Sequence, residues 1–180
     1  MTAGEVHSLM QEVGTRIDSV GLLHKLLTSK PDLEAIDIGA YLREICTPLV
    51  ASLSAVSPVD LVLHAKPDLN VAPQQAPLIA LIVTELVVNA IKYSHPTQIN
   101  GKIVIDCHED FDGTLVVDVA DDGVGLPEGF DPEGDGHFGF QIIRTLAAQL
   151  HGSLTFNSTD LGLRVRILVP QSTQTLKLRQ

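Results

Sequence analysis

Three polar side chains interrupt the apolar stretch that runs from residue 77 to residue 93. Glu85, Asn89 and Lys92 are spaced i, i+4 and i+7, which places them on one face of a helix. An amide oxygen can bind a hard cation, an ammonium group can meet a phosphate, and a carboxylate can orient water or accept a proton. Taken alone, this stripe indicates either a magnesium–phosphate site or a solvated polar face.

A second candidate site is the acidic and glycine-rich segment that begins at Asp121 and contains Gly123 and Gly125. It directly follows an apolar run that is typical of a strand. A carboxylate at a strand end can accept a hydrogen bond from an exocyclic amine such as that of adenine. The two glycines would let a ligand approach the backbone closely. The alternative interpretation is an ordinary glycine-rich turn.

A third candidate is the glycine loop 134–140, which leads into a helix. Free backbone N–H groups and the helix dipole make such a helix start a potential anion site. The loop has neither the GxxxxGK[ST] pattern of a Walker A loop nor the GxGxxG pattern of a dinucleotide-binding turn.

These three segments need a sheet and helices to bring them together. Apolar residues at helical spacing predict helices at 77–93 and 140–150. Runs of β-branched residues predict strands at 59–63, 102–107, 114–120, 154–156 and 163–169. Asp112-Gly113 is a strong hairpin signal between two of these strands. The order predicts an α+β fold with one sheet covered by helices on one face.

The first 57 residues have a different pattern. A heptad of apolar positions over residues 5–28 is typical of a coiled-coil seam. A second helix is predicted to begin near Asp37, a candidate N-cap, and Pro48 should kink it or cost a hydrogen bond. We therefore predict a helical hairpin over 1–57 that self-associates, a second domain over 58–170, and a flexible tail over 171–180.

Composition narrows the classes of partner. The 180 residues include 22 acidic and 12 basic side chains, a formal net charge of −10, so nucleic-acid binding is not expected. No uninterrupted apolar run reaches the roughly 18 residues of a membrane span, and the N-terminus lacks a secretory signal. We therefore expect a cytoplasmic chain without membrane contact. Cys46 and Cys107 cannot form a four-ligand zinc site alone and are expected to be buried.

The three candidate segments, read together, resemble a known family. The stretches ELVVNAIKYSHP, DDGVGLP and HFGFQIIRTLAAQLHGSL resemble the N, G1 and G2 boxes of the histidine-kinase ATP-binding domain, in the same order and at similar spacing. The resemblance covers residues 58–170. RIDSVGLLHKLL and IDIGAYLREI also resemble the helices that precede that domain. The absence of Trp favours the sister group of the HWE kinases over the HWE set itself.

The resemblance implies a Bergerat-type two-layer α/β sandwich that binds ATP and Mg²⁺. It implies that Asn89 binds the metal ion and that Glu85 acts catalytically on the incoming imidazole or on a metal-bound water. It also implies that Asp121 holds the adenine amine, and that a lid over 126–138 orders on nucleotide. The implied nucleotide contacts are Asn89, Lys92, Tyr93, Asp121, Gly123, Gly125, Phe138 and Gly139.

The resemblance further implies a sensor histidine kinase that transfers the γ-phosphoryl group of ATP to a histidine and serves a response regulator receiver domain. No histidine here has the family's acceptor context. His7 lacks basic and Asn-rich neighbours, and His24 lies in the heptad seam, so we expect the acceptor on a partner or a missing segment. The family often has Thr where Leu163 follows Gly162. The alternative function is a phosphotransfer-like module that docks a response regulator through a non-catalytic ATP-domain fold.

Overall fold

The structure, a computed structural model, describes residues 35–53, 58–94, 100–132, 134 and 138–171. The chain divides into two compact units, Met1–Leu33 and Glu34–Gln180. The predicted heptad helix and the predicted tail after residue 171 lie outside the described residues and stay predictions.

The second unit is a mixed sheet with helices packed on it. Its elements are β1 (Ile36–Asp37), α1 (Ile38–Leu53), β2 (Val59–Ala65), β3 (Asn70–Val71), α2 (Gln75–Tyr93), β4 (Gly101–Glu109), β5 (Leu115–Asp121), α3 (Phe138–Gln149), β6 (Ser153–Thr159) and β7 (Gly162–Val169). The main sheet has the order β2-β4-β5-β7-β6, in which β2 is parallel to β4 and the other neighbours are antiparallel. The predicted α+β class is confirmed.

Helix α1 begins at the predicted cap. The Asp37 carboxylate accepts a hydrogen bond from the Ala40 N–H at 2.7 Å and thereby satisfies one of the free donors of the first turn. The helix continues through Pro48 to Leu53, so the proline costs a hydrogen bond without ending the helix. The short β1–β3 pair beside this cap was not predicted, because two residues per strand give no periodic signal.

The core lies between the helices and one face of the sheet. Alternate β4 residues, Ile103, Ile105 and Cys107, are buried, as the two-residue period of a strand requires. Helix α2 lies over this face with Ile82 and Val83 fully buried. The helix predicted at 77–93 is thus confirmed, and it is a core helix.

Helix α2 is also long and apolar enough to pass a test for a membrane span. Ala76–Tyr93 has a mean hydropathy of 1.6, although its apolar character is interrupted by Glu85, Asn89 and Lys92. No other helix in the described part of the chain is both as long and as apolar. More than half of this segment is buried inside the fold, as is typical of a core helix.

Residues with positive φ form two of the turns between elements. Gly113, with φ +85°, closes the β4–β5 hairpin as predicted from Asp112-Gly113. Helix α3 is terminated by His151, which has a left-handed φ of +51°. Gly152 follows it and donates to the Ala147 carbonyl at 2.9 Å, which is the Schellman arrangement.

Candidate functional site

The end of β5 is docked directly onto the end of α2. Val124 donates its N–H to the Ser94 carbonyl at 3.0 Å. A Cβ atom on Gly123 would lie 2.2 Å from the Ser94 Cβ and 2.3 Å from the Ser94 carbonyl oxygen, so only glycine fits at this position. Ser94 is itself buried, and its hydroxyl donates to the Ala90 carbonyl at 2.6 Å. The first glycine of the DDGVG segment is therefore explained by close packing of two backbones.

Asp121 is oriented by backbone donors at the same point. Its Oδ1 atom accepts hydrogen bonds from the Gly123 N–H at 2.9 Å and from the Leu163 N–H at 3.3 Å. The contact from residue 163 uses only the backbone N–H, so it does not depend on whether the side chain there is leucine or threonine. The half-buried carboxylate is thus fixed between its own loop and the start of β7.

The loop after Asp121 is also fixed on its far side. Gly125, with φ +71°, lies so close to β6 that a Cβ would stand 2.4 Å from the Thr159 carbonyl oxygen. Leu126 donates its N–H to the Ser158 hydroxyl at 2.7 Å. The loop is therefore held between the end of α2 and the β6–β7 hairpin.

The polar side chains of α2 become more exposed toward the C-terminal end of the helix, where Ser94 follows. Glu85 is buried with 4% exposure, Asn89 is half-buried and Lys92 is exposed. Asn89 precedes Ser94 by five residues, or about 7.5 Å along the helix axis. The stripe and the Gly123 contact thus belong to the last turns of one helix, whereas a solvated face would not bury its carboxylate.

The remaining predicted nucleotide contacts lie in different elements and differ in exposure. Tyr93 is 66% exposed at the end of α2. Phe138 begins α3, and Gly139 is buried in the first turn of that helix. The structure therefore unites Asp121 and its glycines with the end of α2, and it leaves the Tyr93 ring largely in solvent.

Aromatic packing fixes the start of the predicted lid. The ring centroid of Phe130 lies 5.5 Å from that of Phe140 in α3. The Phe140 centroid lies 5.8 Å from that of Phe156 in β6. The Arg144 guanidinium donates to the Pro132 carbonyl. Both ends of this part of the lid segment are thus attached to the sandwich.

Sequence reasoning missed Ser94, Ser158 and Leu163 as supports of the site. Two of them act through backbone groups, which leave no signal in the residue type. Ser158 acts through its hydroxyl but lies 32 residues from Leu126, so only the folded sheet reveals the pair.

The side chains near the end of α2 could supply only a few of the ligands of a bound metal ion. The described residues contain no group of three or more His, Cys, Asp or Glu side chains able to hold an ion among themselves. A divalent ion at Asn89 would therefore take most of its ligands from phosphate and water, which is the usual preference of Mg²⁺. Of the donors on α2, the half-buried Asn89 amide oxygen is a hard ligand of the kind that Mg²⁺ prefers.

The cysteines take no part in this chemistry. Burial raises the pKa of the Cys46 thiol to about 12 and is the main cause of the same rise in the pKa of Cys107. Both are free and buried, as predicted, and neither is a nucleophile at neutral pH.

Family comparisons agree with this geometry. The model of the histidine kinase-, DNA gyrase B- and HSP90-like ATPases matches residues 74–173. A second model, described as histidine kinase, matches residues 1–53. Together the two matches cover most of the chain, including residues 1–53 of the segment 1–57 that was predicted to form the helical hairpin.

The similar curated proteins are sensor kinases. Sensor histidine kinase PdtaS of Mycobacterium tuberculosis is 33% identical over 162 residues, covering 84% of this chain and 31% of PdtaS. Blue-light-activated histidine kinase 2 of Erythrobacter litoralis is 28% identical over 181 residues, covering 96% of this chain and 50% of the relative. The chain thus spans about a third to a half of the length of these relatives.

Solved structures agree on the fold. The histidine kinase domain of the Erythrobacter litoralis EL346 blue-light activated kinase superposes with a TM-score of 0.77 at 25% identity, covering 94% of this chain and 84% of that one. The catalytic domain of histidine kinase ThkA gives a TM-score of 0.64 at 20% identity, covering 78% and 97%. The predicted Bergerat-type sandwich is confirmed.

Proposed function

Because the chain belongs to the family of histidine kinase-, DNA gyrase B- and HSP90-like ATPases, we propose that it binds Mg²⁺·ATP and transfers the γ-phosphoryl group to a histidine side chain. The observation that carries this proposal is the docking of Gly123 on Ser94. It joins the loop of Asp121 to the helix of Asn89, so that one nucleotide can reach both.

In this proposal each end of the nucleotide meets a different element. Asp121 accepts a hydrogen bond from the adenine amine, and its orientation by two backbone N–H groups supports that role. Asn89 offers its amide oxygen to Mg²⁺, which would neutralise phosphate charge when bound. Lys92 contacts phosphate from the exposed end of the stripe.

Glu85 is the proposed catalytic carboxylate, and it is the most buried member of the stripe. It orients the attacking imidazole, or a metal-bound water, and accepts a proton. We infer phosphate contacts also for Tyr93, the last residue of α2, and for Phe138 and Gly139, the first two residues of α3.

The proposed acceptor is a histidine on a partner or on a segment outside this sequence. The motif context of His7 and His24 does not support either as the acceptor. The match of residues 1–53 to a histidine kinase model supports a dimer formed through the N-terminal helices. A receiver domain of a response regulator is the proposed downstream partner, and the cytoplasm the proposed location.

Calorimetry of ATP binding tests the nucleotide site. We expect binding that requires Mg²⁺ and that Asn89→Ala weakens at least about tenfold, because the metal loses its protein ligand. Asn157→Ala removes an exposed asparagine of β6 and serves as the matched control. Equal affinity in wild type and Asn89→Ala would remove Asn89 from the metal role.

A transfer assay separates the kinase from the docking alternative. The chain is incubated with γ-labelled ATP and the acceptor-helix domain of PdtaS, and acid-labile label on that domain is measured. Glu85→Gln should retain ATP binding and lose most of the transfer. A chain that binds no ATP, yet binds a receiver domain, would instead be the docking module.

A further inference from the structure

A cleft lies at the C-terminal end of β2, beside the end of β4 that is farther from Asp121. Strand β4 is longer than β2: their pairing ends at Ala65 and Cys107, and β4 continues for two more residues. The chain leaves the sheet at Lys66 and Pro67 and opens a cavity of about 690 Å³ beside the uncovered part of β4. We call this cavity the edge cleft.

The acidic side chains of the edge cleft already have hydrogen-bond partners. Asp118 is 3% exposed, and both of its oxygens accept hydrogen bonds from Arg166, each at 2.9 Å. Asp106 lies 2.8 Å from the His64 Nδ1 atom. The cross-strand register places these four residues in one row, His64–Asp106–Asp118–Arg166.

The basic side chains of the edge cleft are differently placed. Arg43 of α1, Lys66 after β2 and His108 of β4 line it from three separate elements. In the part of the chain that the structure describes, none of the three forms a hydrogen bond or ion pair with another residue. The chain has only 12 Lys and Arg residues against 22 acids, so the charged groups of Arg43 and Lys66 in one cleft stand out from the rest of the surface.

The edge cleft is separate from the nucleotide site. Ile103 is the register partner of Asp121, and His108 lies five residues further along β4, or about 16 Å. A ligand in the cleft would therefore meet no residue of the Gly123 loop.

We propose that the edge cleft binds a small oxyanion, a carboxylate or a phosphate monoester, through Arg43 and Lys66. A guanidinium fork matches the two oxygens of either group, and the ammonium of Lys66, which lines the same cleft, adds a second charge. His108 contributes a third donor, and Leu63, Ala65 and Pro67 supply an apolar wall for the body of the ligand.

The test uses the full chain, labelled with ¹⁵N, and follows backbone amide shifts during titration with inorganic phosphate, with succinate, and with chloride at matched ionic strength. We expect saturable shifts at Lys66, His108 and Asp118 with phosphate or succinate and none with chloride. The stronger of the two oxyanions identifies the source of the ligand.

Variants then test the named side chains. Arg43→Gln and Lys66→Gln should each weaken binding about tenfold or more, and Lys66→Arg should restore it. Arg164→Gln removes an exposed charge outside the cleft and should change the affinity less than twofold. Equal losses in all three neutral variants, or the same shifts with chloride, would mean an adventitious ion only and would overturn the proposal.

Discussion

Gly123 and Ser94 touch through their backbones, with no space for a side chain between them. Ser94 is the residue that follows α2, and Gly123 lies two residues after β5. The contact therefore couples the helix that carries Asn89 to the loop that carries Asp121. The relative placement of the two ends of the proposed nucleotide site therefore depends on this contact.

Gly123→Ala tests the coupling. The new methyl group would lie 2.2 Å from the Ser94 Cβ, so the loop must move away from α2. We expect a loss of about 1–3 kcal/mol in the free energy of unfolding, as is usual for overpacking, and a fall of at least about tenfold in ATP affinity. Urea denaturation and calorimetry measure the two effects.

Gly129→Ala is the control for that experiment. Gly129 also has a positive φ, +78°, but a Cβ atom there would meet nothing within 4 Å. It should cost about 1 kcal/mol of backbone strain and leave ATP affinity unchanged. If both variants lose affinity equally, loop strain and not contact with Ser94 explains the result.

Asp121→Asn should change base preference without unfolding the protein. The asparagine oxygen can keep the hydrogen bonds from the Gly123 and Leu163 N–H groups. The other position then carries an NH₂ donor where adenine presents its own amine donor. We expect ATP affinity to fall at least tenfold and the ratio of GTP to ATP affinity to rise, measured by competition calorimetry. An unchanged ratio would argue against contact between this carboxyl group and the base.

Arg166→Ala should destabilise the sheet. It leaves the Asp118 carboxylate, whose side chain is 4% exposed, without its partner. Such removal of one member of a buried pair costs about 3 kcal/mol, although half-exposure of Arg166 lowers the figure here. The hydrogen bond to Asp118 also raises the pKa of Arg166, so the guanidinium stays charged.

Two further variants check the Asp118 explanation by urea denaturation. Arg164→Ala, an exposed neighbour on the same strand, should stay within about 0.5 kcal/mol of wild type. Adding Asp118→Ala to Arg166→Ala should recover part of the loss, because the uncompensated charge is gone. No recovery would show that Arg166 acts through packing alone.

The thiols should be unreactive in the folded protein. With pKa values of about 12, roughly one Cys46 or Cys107 side chain in 10⁴ is thiolate at pH 8. Ellman's reagent should react slowly with the native chain and rapidly with both thiols in urea. The unfolded thiols ionise first as pH rises, so the free energy of unfolding should fall between about pH 9 and pH 12. Fast reaction under native conditions would contradict this burial.

The sequence predicts the local elements well because their signals are local. The apolar run 77–93 becomes α2 with ends within two residues, and Asp112-Gly113 closes a hairpin as expected. The parallel pairing of β2 with β4 could not be read in the same way, because the two strands are joined through α2 and nothing in either run specifies its neighbour.

The candidate site was predictable in its residue types and not in its supports. Glu85, Asn89 and Asp121 stand out by type, spacing and context. Two contacts exist only once the chain has folded. Gly123 packs against Ser94, and Asp118 pairs with Arg166, which lies 48 residues away. Backbone contacts and long-range side-chain pairs cannot be predicted from the residue types of a single sequence.

A competition experiment tests most directly whether one ligand meets both ends of the site. Mn²⁺·ATP should broaden the Asn89 side-chain amide signal, because the paramagnetic ion lies beside it. Adenosine has no phosphates and can bind only at the Asp121 end. We predict that excess adenosine displaces Mn²⁺·ATP and restores the Asn89 signal, whereas a signal that stays broadened while adenosine shifts the Asp121 and Gly123 amides would contradict a shared pocket.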